Sequence, residues 1–158
     1  MRHRNTIRRL TMFITVLTTA ACGGPGALEP SPIAKTSGTY IVDTSANGTA
    51  LGTLVFSTTE NGVVVDQVAR GARIELVLNA NGTTSGALVV PDVDLGGDTR
   101  ESFGADLTGT WRINDGVVVL AHDADTFLRD MPLTVVGNQL EGDRTFGGVR
   151  VRLSLVRR

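Results

Sequence analysis

The chain has 158 residues, 15 of them basic and 16 acidic, with aromatic residues at only 4%. Once the arginine-led first 21 residues are set aside the balance is mildly acidic, which argues against a surface field suited to nucleic acid or anionic headgroups. So few rings argue against a stacking platform for sugars or single strands, and a lone cysteine rules out a disulfide framework.

Four arginines (Arg2, Arg4, Arg8, Arg9) precede an uncharged, mostly apolar run of twelve residues, Leu10 to Ala21. A basic start, a short apolar middle and small residues at the end make the layout of a secretory signal peptide over 1–21. The run is too short for a transmembrane anchor, which needs about 20 apolar residues. Without it the protein keeps 11 basic against 16 acidic residues, a net charge of −5. Cys22 follows at once, and an ordinary secreted protein would there carry an unpaired thiol, a liability in an oxidising compartment. Thr19-Ala20-Ala21-Cys22-Gly23 resembles the lipobox of bacterial lipoproteins. The resemblance implies that Cys22 is acylated and becomes the mature N-terminus, holding the protein on a membrane. Gly23 stands where aspartate marks inner-membrane retention in some Gram-negative lipoproteins. An outer-membrane anchor facing the periplasm is therefore expected.

Residues 22–37 continue as Gly23-Gly24-Pro25-Gly26 and Pro30-Ser31-Pro32, without apolar periodicity. Such composition predicts a flexible tether. The remaining 38–158 are the size of one domain with one core.

That domain reads as all-β. Val149, Val151, Leu153 and Leu155 alternate with Arg150, Arg152 and Ser154, and the same period of two marks Ile74-Glu75-Leu76 and Trp111-Arg112-Ile113. Turn pairs recur at Asn47-Gly48, Asn61-Gly62, Asn81-Gly82, Asp115-Gly116 and Gly137-Asn138. Strands are predicted near 38–44, 50–58, 62–69, 72–79, 84–91, 108–114, 117–122, 126–136, 139–143 and 148–157, with a single helical turn at 100–107. Some eight to ten hairpin-linked strands point to an antiparallel up-and-down meander closing into a small barrel, since closure removes exposed edges. A β-sandwich is the alternative, with 91–107 the one connection long enough for a crossover. Scarce aromatics fit an outer-membrane barrel poorly.

Gly38-Thr39-Tyr40 opens the first strand and Gly109-Thr110-Trp111 a later one, 71 residues on. The pattern is similar to the Gly-x-Trp with which lipocalins begin, where the ring plugs one end of the barrel. The resemblance implies a small lipocalin-like domain over 38–158 and a small apolar ligand within the barrel. The spacing of the two copies also allows an internal duplication or convergent hairpin chemistry.

Residues able to carry chemistry are few. His122 is the only histidine beyond the signal segment, and His122-Asp123-Ala124-Asp125 reads as a solvated turn rather than an imidazole set among carboxylates. No nucleophile elbow or phosphate loop is present, so no catalytic residue, cofactor site or metal site is assigned. Asp92, Asp94, Asp98, Glu101 and Asp106 surround Gly96-Gly97, but EF-hand spacing fails there, and a solvated loop is favoured over a calcium site.

The functional expectation is a non-catalytic, membrane-anchored envelope lipoprotein that binds a small apolar ligand. The alternative is a structural or inhibitor-like lipoprotein with a filled core and an envelope protein as partner. Nucleic acid is not expected as a partner, and the sequence leaves the oligomeric state open.

Overall fold

The computed structural model describes residues 29–42, 55–94 and 100–158, with 92–94 and 100–101 described by backbone alone. The signal segment, Cys22 and the first part of the tether lie outside the described residues. The end of the tether, read from composition as unstructured, instead folds into a short helix, α1 (Pro32–Thr36). Ser31 caps it, Oγ accepting from the Ala34 N–H at 3.2 Å. Proline fits the first helical turn because its missing N–H would be unpaired there anyway.

Eleven strands appear among the described residues: β1 (Gly38–Ile41), β2 (Phe56–Glu60), β3 (Val63–Asp66), β4 (Arg73–Leu78), β5 (Thr83–Asp94), β6 (Arg100–Asp106), β7 (Gly109–Asn114), β8 (Val117–His122), β9 (Leu133–Val136), β10 (Gln139–Phe146) and β11 (Val149–Arg157). Eight of them, in the order β1-β4-β5-β7-β8-β9-β10-β11, form an antiparallel meander that closes where β11 pairs with β1. Tyr40 lies opposite Arg157 and Ile41 opposite Val156. The barrel, not the sandwich, is the fold.

Two of the strands share an edge with another. On the side of β11 away from β10, β1 occupies 156–157 and β2 occupies 150–153. On the side of β5 away from β4, β7 pairs at 83–84 and β6 at 87–94. The hairpins β2–β3 and β5–β6 therefore stand beyond one pole of the barrel. From Val151 to Arg157, β11 advances six residue steps, roughly 20 Å at strand rise, and so runs from this open pole to the other.

The far pole is closed by rings and by α1. Tyr40 donates its hydroxyl hydrogen to the Thr36 carbonyl at 2.7 Å, and Trp111 donates Nε1–H to the Asn79 carbonyl at 2.8 Å. Arg157 donates from Nη1 to the Lys35 carbonyl at 2.8 Å. The two Gly-Thr-aromatic segments thus place their rings at the same end. The barrel interior is filled by the alternating apolar face, including Leu76, Leu78, Leu120, Leu133, Leu140 and Leu155. The hairpins at Asn61-Gly62 and Asp115-Gly116 hold both central residues at positive φ, the backbone of type I′ turns.

Two sequence expectations are corrected. Residues 100–106 form a strand rather than a helical turn, because β5 runs on to Asp94 and supplies a partner. The segment 91–107 therefore returns beside β5 instead of crossing over. The expected strand at 126–136 begins with a helical turn, α2 (Phe127–Asp130), whose cap Thr126 accepts from the Arg129 N–H. A β-rich apolar run hid the capping threonine.

Candidate functional site

At the open pole α2 acts as a plug. Leu128 and Met131 are fully buried in the barrel, and Gly142 of β10 makes this possible. A Cβ there would sit 2.6 Å from Met131 Cε and 2.9 Å from a Leu133 methyl. Phe127 turns the other way and stacks on Phe56, ring centroids 5.5 Å apart.

Above this plug lies a cleft of about 630 Å³, within the size range of small-molecule sites. Its walls are the inward faces of the two projecting hairpins. Residues directly opposite in antiparallel strands point to the same face, and the register pairs Thr58 with Val65, Glu60 with Val63, and Val90 with Phe103. All six line the cleft, with Phe56, Phe127 and Val151 at its base. Val63 and Phe103 are apolar yet 63% and 40% exposed, so the cleft presents apolar surface to solvent. Pro91, which cannot donate to a ladder, sits at the irregularity between Val90 and Val93 where the β5–β6 register shifts.

Polar groups are sparse and unevenly placed. Gln67 is buried and donates from Nε2 to Thr58 Oγ1 at 2.7 Å. Arg70 lies three residues further along the same turn, exposed and lining the cleft. Glu60 and Asn61 line it at the hairpin tip.

His122 is not the solvated residue expected from the sequence. It is buried at the end of β8, its Nε2 2.8 Å from Oγ1 of Thr126, the cap of α2. Asp123 and Asp125 are exposed as expected, and Asp125 pairs with Arg129 at 2.6 Å. Burial first, then the charge of Arg129, holds the imidazole below the ordinary histidine pKa; Asp130 and Asp123 oppose the shift. The folded state therefore resists the proton that the unfolded chain takes up near pH 6.5, so stability should fall as pH drops through that value. Exposed carboxylates with lowered pKa values, Asp130 and Asp143, act only further down, below about pH 4. In melting curves between pH 7.5 and 5, His122→Gln should flatten the decline seen in the wild type. Equal slopes would sink the assignment.

The acidic cluster divides. Asp106 sits at the end of β6 and accepts from Thr108 N–H at 2.7 Å and Thr108 Oγ–H at 2.6 Å, which holds its carboxyl below the usual range. Asp92, Asp94 and Glu101 lie in strands described by backbone, and Asp98 lies outside the described residues, as does Cys22. Among the described residues no three His, Cys, Asp or Glu side chains converge as a metal would need.

None of the cleft residues was singled out from the sequence as a site. The run Val63-Val64-Val65 beside a turn was the available signal, since alternation would bury only one face. No protein-family model, curated protein or solved structure matches this chain, and its site stands on its own geometry.

Proposed function

We propose that the protein is a non-catalytic, lipid-anchored lipoprotein of the bacterial cell envelope, with a lipocalin-like barrel that binds a small apolar ligand. The observation that carries the binding reading is the cleft at the open pole. It is an extension of the barrel's inner face that the described residues leave unfilled, with solvent-exposed Val63 and Phe103 on opposite walls. Exposed apolar surface gathered in a concavity is what apolar ligands remove from water. The anchor reading rests on the arginine-led apolar segment and the small residues before Cys22. An outer-membrane attachment facing the periplasm follows from Gly23 within that reading.

The test uses the full chain carrying Cys22→Ser, purified without detergent and mixed with a cell-envelope extract. Native mass spectrometry should show a discrete small-molecule adduct that Phe103→Glu removes. Phe103 is exposed at the cleft wall, so this variant should keep its melting temperature. A bare mass in the unaltered cleft would count against ligand binding. For the anchor, the wild-type chain should fractionate with membranes and Cys22→Ser should not.

A second reading, an envelope lipoprotein that binds another protein, is favoured by one observation. β3 pairs only with β2 among the described residues, and Val64 is 58% exposed on its outer face. An edge strand of this kind is a template for strand addition.

A further inference from the structure

We infer that the ligand of the cleft is an amphipathic monoanion, its headgroup held by Arg70 and Gln67. The inference rests on the reading of the cleft as a ligand site and adds the polarity of what it takes.

The argument is one of charge placement. Among the described residues, Arg70 is the one cation lining the cleft. Among the described residues it makes no ion pair or hydrogen bond, whereas Arg129, Arg150 and Arg152 are each held by an aspartate. A guanidinium left unengaged beside apolar walls offers a forked set of donors matched to a carboxylate or phosphate. Gln67 belongs to the same turn. Its Nε2 has one hydrogen committed to Thr58, and an amide nitrogen carries two. The spare donor and Arg70 thus mark one polar end of the cleft, with apolar walls of Val65, Val90 and Phe103 beyond them.

The opposite end has the opposite sign. Glu60 pairs with Val63 beside the Asn61-Gly62 turn, while the Gln67 N–H bonds the Phe56 carbonyl at the hairpin base. Phe56 and Glu60 are four residues apart on β2, about 13 Å along the strand. A ligand with anions at both ends would place one of them against Glu60. A cationic head would have to turn to Glu60 at the exposed hairpin tip, whereas Arg70 shares its turn with the second donor, Gln67. The arrangement selects a molecule with one anionic head toward the turn 67–71 and an uncharged chain along Val65, Val90 and Phe103.

The test measures calorimetric affinity of the full Cys22→Ser chain for three ten-carbon probes below their micelle concentrations: decanoate, decanol and decyltrimethylammonium. Decanoate should bind about tenfold more tightly than decanol, the effect of one charge-assisted hydrogen bond, and the cation should bind most weakly. Arg70→Gln should remove the preference for decanoate without changing the melting temperature. Equal affinity for decanoate and decanol would leave the apolar site standing and overturn the headgroup assignment. So would a preference that survives in Arg70→Gln. Binding to none of the three would overturn both readings. Phosphatidylglycerol vesicles serve as the remaining arm. Binding to them with no affinity for monomeric decanoate would make the surface a membrane contact and overturn the inference.

Discussion

Gly86→Ala should unfold most of the protein at ambient temperature, or lower its melting temperature by more than about 10 °C. Gly86 lies in β5 at φ +123°, and a Cβ there would sit 1.9 Å from the Glu75 carbonyl oxygen and 2.8 Å from its carbon. These are backbone atoms of β4, the neighbouring wall strand, so no side-chain rotation relieves the clash. The position is also where β5 changes partners, from β7 at 83–84 to β6 from 87 onward. The Gly86 carbonyl accepts from the Leu107 N–H at 3.0 Å, pinning the β6–β7 junction to that point. Leu107 is fully buried, so displacement of β5 also disturbs the core. A loss on the order of 4 kcal/mol or more is expected, against a total of about 5–15 kcal/mol for a typical domain. Gly116→Ala is the control. Its φ is also positive, but nothing lies within 4 Å of the added methyl, so only the left-handed backbone cost of about 1–2 kcal/mol applies. Urea unfolding of both variants decides the matter, and a Gly86→Ala curve within about 1 kcal/mol of the wild type would refute it.

Trp111→Ala should cost about 3–5 kcal/mol, the range for truncating a large buried ring. The ring is 5% exposed at the closed pole, and its N–H reaches the carbonyl of Asn79, 32 residues earlier, in the β4–β5 turn. The same turn is tied by Asn79 Nδ2 to Thr83 Oγ1 at 3.1 Å. Losing the ring therefore opens a cavity and removes one of the two donors on that carbonyl, the Gly82 N–H at 3.0 Å remaining. Trp111→Phe should separate the two effects. It keeps most of the apolar volume but removes the indole donor, with the Gly82 N–H still on the carbonyl, and should cost about 0.5–1.5 kcal/mol. The readout is denaturant unfolding followed by far-ultraviolet circular dichroism, because these variants remove the only tryptophan. If Phe proved as damaging as Ala, the hydrogen bond rather than the ring would be the dominant contribution.

The barrel was legible wherever one face of a strand meets the core. In β11, Val151, Leu153 and Leu155 are buried while Arg150 and Arg152 point out and share Asp143 at 2.5 and 3.1 Å. The alternation dictates the orientation, because a register slip by one residue would bury the arginines. Asn-Gly and Asp-Gly pairs marked their hairpins for a comparable reason, since only a few residues tolerate two positive φ angles in succession. What escaped were features defined by partners distant in sequence. β6 reads Arg-Glu-Ser-Phe-Gly-Ala-Asp, with too few apolar positions to alternate, and becomes a strand because β5 is long enough to hold it. α2 has only four residues, too few for helical periodicity, and its place is set by Leu128 and Met131 filling the barrel mouth. His122 looked solvated beside two aspartates, yet strand alternation turns it inward while they stay outside. The cleft was the least legible feature. Val65 and Val90 follow the same inward alternation as the core leucines, and period two does not distinguish a face packed on protein from one left open.

The chain enters and leaves the barrel at one pole, and it is the pole remote from the cleft. Gly38 begins β1 beside the end of β11, where the Arg158 N–H bonds the Thr39 carbonyl at 2.9 Å. Anything joined ahead of α1 or behind β11 therefore leaves the domain from its closed base. The cleft opens at the opposite pole, with roughly 20 Å of barrel between the two. A molecule entering the cleft and a segment joined at the closed base would therefore use opposite ends of the barrel.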